Sequence, residues 1–437
     1  MRPLTVKPRR RGHMLRRAEA QLRKGVAKVS IEVPVAREVL KASGLRALLY
    51  RYRRGLEVRL SSMRQIQLPV AFDDVIDADW TRPAPATLAP SSRRSAGGSL
   101  VISWVLPPVV LGSGGHTTIF RFVRHLEAKG HTCRLYFYNP RARTSFREQV
   151  DTVRAGYKPM RAEILRFARA MEPCDAVVAT MWPTAYAAFN SPVRARRFYF
   201  VQDYEPYFYP VGTDAVLAAN TYRFGFHGVT AGQWLSTKLT QEYGMPCDHF
   251  DFGVDGSEYF NEGRGLRPGV VFYARPSTPR RGFALGVMTL KLFHERHPEY
   301  QIHMIGRNLG EFGLPFPFIN HGVLSHEHLN RLYNACSAGL VISLTNMSLM
   351  PVELLATGCI PIVNDAPNNR MVGGSSFISY AEPSPHSLAG ALCDAVERAD
   401  RHAYAEEAAE SVRALSWDDA GDKVESIFVR EAQLSAA

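Results

Sequence analysis

From about residue 99 the chain alternates short apolar runs with longer segments in which apolar residues recur every three or four positions. LVISWVLP reads as a strand, HTTIFRFVRHLEAKG as a helix closed by Gly130, and TCRLYFY as a second strand. A helix is predicted around Ala162 to Met171, then a strand at CDAVVAT. The pattern restarts after Gly253. GVVFYARP, YQIHMIG, SAGLVISL and CIPIVND are strands, separated by helical periodicity in FALGVMTLKLFHERH, HEHLNRLYNAC and the short PVELLAT, with closing helices at Ser387 to Glu397 and Ala405 to Phe428. Strand–helix alternation argues for parallel sheets covered on both faces. Two copies predict an α/β chain of two facing Rossmann-like domains, residues 99–252 and 253–415, with residues 416–437 as a C-terminal helix returning to the first domain. The ligand cleft then lies between them, at the carboxyl ends of the strands.

Charge separates this body from what precedes it. Of the net +12, residues 1–65 carry +14, with 18 Lys/Arg against 4 Glu, so the rest is slightly acidic. Residues 1–79 are therefore expected to form a basic, partly helical extension, joined by the Pro/Ala/Ser-rich linker 80–98. Val35, Val39, Leu40, Leu48, Leu49, Tyr52 and Leu56 recur at helical spacing among arginines. Such a helix suits an anionic membrane surface, or packing on the main body. No nucleic-acid reading motif accompanies the charge, so no nucleic-acid partner is expected. The opening MRPLTVKPRRRGHMLRRAEAQLRKG lacks the apolar core of a secretory signal. No run approaches the roughly 20 apolar residues of a span, and six scattered cysteines without metal-site spacing fit a reducing compartment. The expectation is a cytoplasmic protein, peripheral at the inner face of the plasma membrane.

Candidate chemistry clusters at predicted strand ends. LGSGGHTTIF places Gly114, Gly115 and His116 at a helix start, where free N–H groups attract anions; the loop is equally a tight turn, and it lacks the dinucleotide GxGxxG spacing. In FYARPSTPRRGF, Arg275, Arg280 and Arg281 leave the first strand of the second domain, and arginine forks suit phosphate oxygens. Glu353 opens the short helix before Gly358, where a carboxylate complements the helix dipole whatever else it does. VQDYEPYFYP supplies Asp203 as a general base or hydroxyl ligand. It also supplies Glu205, a second carboxylate for the same roles, and Tyr204, Tyr207, Phe208 and Tyr209, whose rings can stack on sugars or pack an inter-domain corner. The Asp77-Ala78-Asp79 triplet precedes the cleft-forming body and reads as surface acid, so no metal site is expected.

In their order, GSGGHTTIF, FGVDGSEYF, YARPSTPRRG, GVLSHEHLNRLYNAC, PVELLATGCIPIV and LSWDDA resemble the GT-B glycosyltransferases of family 4 over about residues 99–428. FVQDYEPYFYP and FYARPSTPRRGF look like the rhamnosyltransferase branch that builds rhamnan and S-layer-type glycans from dTDP-L-rhamnose. The resemblance implies a retaining, metal-independent transferase without cofactor, whose donor is a nucleotide sugar and whose acceptor is a lipid-linked cell-surface glycan. It implies Glu353 at the ribose hydroxyls, Val323 and Leu324 at the base, and Arg275 with Arg280 or Arg281 at the diphosphate. Gly114, Gly115, His116, Thr345, Asn346 and Met350 complete the donor site, with Asp203 and the arginines catalytic, and Tyr204, Glu205 and Tyr207 toward the acceptor. The family's first glutamate is replaced here by Thr345, which suits a deoxygenated sugar. A UDP- or GDP-sugar transferase and a non-catalytic scaffold of a glycan-assembly complex remain alternatives; a two-domain oxidoreductase lacks its fingerprint.

Overall fold

The computed structural model describes residues 68–82, 98–141, 144–263, 265, 267–310 and 312–433. The basic run 1–65, with its amphipathic helix, and most of the 80–98 linker lie outside the described residues. From Pro69 the described chain forms one unit.

Its first sheet contains β1 (Val101–Leu106), β2 (Thr132–Phe137), β3 (Glu163–Arg166), β4 (Ala176–Ala179), β5 (Arg196–Val201), β6 (His227–Ala231) and β7 (Cys247–Phe250). All pair in parallel, in the order β3-β2-β1-β4-β5-β6-β7. The second contains β8 (Gly269–Tyr273), β9 (Gln301–Ile305), β10 (Ile319–Gly322), β11 (Cys336–Val341), β12 (Ile360–Asn364) and β13 (Ser379–Ala381), also parallel, in the order β10-β9-β8-β11-β12-β13. Strands buried on both faces need continuous apolar sequence. In β8, Val270 and Phe272 join Leu290, Phe293, Leu388 and Leu392 on one face, while Val271 and Tyr273 meet Leu354, Leu355 and Tyr333 on the other. Each fully buried Leu or Phe contributes about 1.5–3 kcal/mol.

One expectation fails. The region predicted as a helix around Ala162 to Met171 holds β3, which extends the sheet beyond β2 in the register Arg134↔Glu163 to Phe137↔Arg166. The helix on that crossover lies earlier, at Phe146–Gly156, opened by a Ser145/Glu148 capping box. The edge of the sheet offered EILR more hydrogen bonds than one helical turn would, and pairing overrode propensity.

The segment ahead of the linker is docked. In the helix Phe72–Asp77, buried Asp74 accepts from the Tyr138 hydroxyl (2.6 Å) and from Arg169 Nη2 (2.8 Å). Asp77, exposed, pairs with Arg169 at 2.7 Å.

At the other end, the helix Trp417–Gln433 lies on the first sheet. Phe428 meets Trp104 and Phe198 edge-on, at 5.8 and 4.6 Å between centroids. Along that helix Asp422, Glu425 and Glu431 meet His125, His131 and His227 at 2.8, 3.1 and 3.3 Å. The two chain crossings between the sheets touch: Val254 N–H donates to Leu415 O at 3.0 Å. A Cβ on Gly253 would sit 2.6 Å from the Ser416 carbonyl carbon, so only glycine fits there.

Candidate functional site

In both sheets the strand order reverses beside the first strand, between β1 and β4 and between β8 and β11. Open α/β sheets bind ligands at that switch point, beyond the carboxyl ends of the strands. The glycine loop leaves β1, the arginine loop leaves β8, and residues 342–349 leave β11, so the topology gathers the predicted motifs at one crevice.

Gly112 makes the turn after β1 at φ +71°. The helix then starts at Gly114 with Ser113 as N-cap, its hydroxyl 2.9 Å from His116 Nδ1. His116 is buried, and burial pushes its pKa down to about 4 although the Pro107 carbonyl favours the protonated ring. The imidazole is neutral at pH 7, a hydrogen-bonding group and not a charge. Across the crevice, the Cβ direction of Gly112 faces Val323 at 3.9 Å; Val323 is exposed, while Leu324 packs on the second core.

The three arginines separate in role. Arg281 follows Pro279 in a single 3-10 turn and donates through Nη1 to the Ser343 hydroxyl at 2.5 Å. Burial draws its pKa below the usual guanidinium range, opposed by Asp203. Arg275 donates to Gly306 O at 3.1 Å. Arg280 turns toward the first domain, with Nε 3.2 Å from Asp203 Oδ2 and its guanidinium 4.0 Å over the Phe208 ring.

Ser343 is the hub of the β11 loop. Its N–H donates to Asn364 Oδ1 (2.7 Å), its hydroxyl to Asn346 O (2.6 Å), and its carbonyl accepts from Asn368 and Asn369, each at 3.1 Å. Within this fixed loop Thr345 Oγ1, Asn346 Oδ1 and Ser348 Oγ are buried without hydrogen-bond partners. A buried orphan of this kind costs about 1–3 kcal/mol until something satisfies it.

Glu353 lies in the first turn of the helix Met350–Ala356, as its sequence position predicts, with Met350 buried beneath it. The helix ends in a Schellman pair, Cys359 N–H to Leu354 O (2.9 Å) and Gly358 N–H to Leu355 O (2.8 Å), with Gly358 at φ +74°. Glu353 keeps some exposure, yet enclosure by protein raises its pKa to about 7, held down in part by Arg121 of the first domain and pushed up by Glu258.

The acceptor-side residues lie largely inside the first domain. Glu205 is buried and faces inward. Its carboxylate accepts the Trp182 N–H at 2.6 Å, and burial raises its pKa to about 8, so it is an interior carboxyl group in this arrangement. Tyr204 is buried too, its hydroxyl bonded to that of Tyr243. With Tyr207 and Trp234 it surrounds the Lys238 ammonium, 4.5 Å from the Tyr204 centroid, so this aromatic cage already holds a cation. Tyr207 alone of the three is exposed, at 54%.

Sequence reasoning missed Ser343, Asn364, Asn368, Asn369, Gln202 and Arg121. NDAPNNR reads locally as a turn, and nothing in it says that its side chains brace a loop twenty residues earlier. Two triads with the donor types for a metal, His297/Cys393/Glu397 and His227/Asp248/Glu431, lie at the amino edges of the sheets, away from this crevice.

Residues 268–393 match the family model described as WsaF, C-terminal domain. The O-antigen biosynthesis protein RfbC of Myxococcus xanthus is 33% identical over 360 residues, 78% of this chain; the chain spans 28% of that relative's length. Among solved structures, Anabaena Alr3699/HepE in complex with UDP and glucose superposes with a TM-score of 0.58 at 13% identity, covering 76% of this chain and 100% of the other. Sucrose-phosphate synthase from Thermosynechococcus elongatus gives 0.56 at 13%, covering 76% and 98%. With its two parallel Rossmann-like sheets facing one crevice, the chain has the GT-B fold.

Proposed function

We propose that this chain is a glycosyltransferase that moves a sugar from a nucleotide diphosphate donor onto a growing cell-surface polysaccharide. The observation that carries the reading is the run of buried, unpartnered oxygens at Thr345, Asn346 and Ser348, beside Arg281 and Glu353 at the switch point of the second sheet. A sugar nucleotide supplies what each needs: hydroxyls for the orphans, a diphosphate for Arg281 and Arg275, and a hydroxyl of the nucleoside sugar for Glu353. The arginines then stabilise charge on the departing diphosphate as the glycosidic bond breaks.

The donor is dTDP-L-rhamnose. The short, neutral Thr345 suits a 6-deoxy sugar, and the motifs that resemble rhamnosyltransferases support the same donor, while the O-antigen biosynthesis relative supports a cell-surface polysaccharide as the product. Transfer is retaining and needs no metal, and the acceptor is a lipid-linked glycan on the cytoplasmic side. The basic residues 1–65 place the enzyme at anionic lipid; among the described residues no helix is long and apolar enough to cross a membrane.

Calorimetric titration with dTDP, UDP, GDP and dTDP-L-rhamnose, repeated on Glu353→Ala, tests the donor. Preferential dTDP binding that weakens in the variant is the expected result. Preference for UDP or GDP removes rhamnose and keeps transfer; absence of any binding favours a scaffold.

A further inference from the structure

We infer that Asn346 and Arg280 form a clamp that closes the two domains on each other, and that Asp203 is its receiving carboxylate, a positioning residue and not the proton acceptor. The inference rests on the glycosyl-transfer reading and names what regulates that site.

Asp203 follows β5 at the carboxyl edge of the first sheet. Its Oδ1 accepts N–H groups from Tyr204 and Asn346, each at 2.9 Å, and its Oδ2 accepts Arg280 Nε at 3.2 Å. Two of these donors come from the second domain. The Asn346 amide meanwhile donates to Gln202 O at 3.1 Å and to Ala231 O at 2.8 Å. Those carbonyls lie at the ends of the neighbouring strands β5 and β6, so one side chain from the β11 loop grips two strand ends of the other domain. Asn346 is 1% exposed, and the Asp203 and Arg280 side chains are 12% and 26% exposed, which shelters the pair from screening.

Two consequences follow from geometry. For Asp203 to take a proton from an acceptor hydroxyl, it would have to turn away from donors already aimed at it, and its bonds to Asn346 and Arg280 of the second domain would break as it did so. Arg280, spent on Asp203 and Phe208, leaves Arg275 and Arg281 for the diphosphate. The clamp is also wired to that diphosphate site: Arg281 donates to the Ser343 hydroxyl, which donates in turn to Asn346 O. Arg281 and Asn346 thus share one hydroxyl, so the loop that grips the first domain is also the loop that braces the diphosphate arginine.

Small-angle scattering and steady-state kinetics on the full chain test this, with Asn346→Ala, Asn346→Asp, Asp203→Asn, Arg280→Gln and the Asp203→Asn/Arg280→Gln double variant, each with and without dTDP. Asn346→Asp keeps side-chain size, which guards against a collapsed loop. Both Asn346 variants are expected to enlarge the radius of gyration and lower kcat by about tenfold or more, while dTDP affinity stays within about twofold. The double variant should be no worse than Asp203→Asn alone, with an unchanged pH profile. Wild-type scattering with weakened dTDP binding in Asn346→Ala would leave Asn346 its donor-site role alone and overturn the clamp. So would a kcat loss of about 10²–10⁴ in Asp203→Asn, additive with Arg280→Gln and accompanied by a flattened acid limb, because that marks a general base. An enlarged radius of gyration in the Asn346 variants, with a wild-type chain that turns over no nucleotide sugar, would keep the clamp and remove the transfer reading.

Discussion

Arg281 Nη1 and the Ser343 hydroxyl lie 2.5 Å apart, joining the loops that leave β8 and β11 on either side of the switch point. A guanidinium held this way is aimed before any ligand arrives. Arg281→Ala is expected to lower kcat/KM by about 10²–10³, the cost of removing one preorganised donor to developing charge. Arg281→Lys keeps the charge but loses the fork and should recover only part of that. Steady-state rates with the donor identified by calorimetry decide it.

Glu353 gives nucleotide binding a pH dependence. Burial raises its pKa to about 7, and the 3′-hydroxyl of dTDP donating to it favours the ionised form. Affinity for dTDP should therefore rise between about pH 6 and 8, with a proton released on binding. Calorimetry in buffers of different ionisation enthalpy measures that proton. Glu353→Gln should abolish its release, and release that persists in the variant must come from the phosphate or another group.

For Glu205 the sign runs through stability. The native state keeps its proton up to about pH 8, whereas the unfolded chain loses it near 4.5. Between those values the native state binds the extra proton, so stability falls as pH rises and flattens above about pH 8. Glu205→Gln, which cannot ionise, should lose that slope in a Tm-against-pH series and retain transfer. A kcat loss of about 10² or more would instead make Glu205 part of the chemistry.

Gly253→Ala tests the crossing of the two connecting strands. Its methyl would be driven into the backbone at Ser416 and Trp417, and overpacking against backbone costs about 1–3 kcal/mol. Urea denaturation should show a lowered midpoint with an unchanged slope. Gly256, with open space around its Cβ position, is the control for a glycine substitution in the same connection.

Deleting residues 1–65 should release the protein from anionic vesicles and spare activity on a soluble acceptor. Vesicle binding that survives the deletion would place membrane affinity in the body of the chain.

What the sequence showed well was whatever depends on period and punctuation. Continuous apolar runs such as VISWVL and SAGLVIS became central strands, and Gly130 and Gly358 close their helices at φ +94° and +74°. Glu353 fell in the first turn of its helix because Pro351 and Gly358 bracket that helix on both sides. The EILR strand was hidden, since four residues at a sheet edge, two half-buried and two exposed, carry almost no periodic signal. Inside the site, sequence could say that Asp203, Arg280 and Asn346 belong near the crevice but not that they hold one another, because 77 and 143 residues separate Asp203 from its two partners. Glu205 misled for a simpler reason. Asp203 precedes the 3-10 turn that Glu205 opens, and the two carboxylates point differently: Asp203 meets the second domain while Glu205 is buried in the first.

The return of Trp417–Gln433 to the first sheet sets an order of events during synthesis. Trp104 and Phe198 are covered by Phe428, so the core begun by β1 waits for a helix that follows the whole second domain. At about 5–20 residues per second the ribosome needs roughly ten to thirty seconds to pass from Phe250 to Trp417. Through that interval the first domain presents an aromatic face to the cytosol or to a chaperone. The second domain does not wait for that helix, and it can fold first although it is made later.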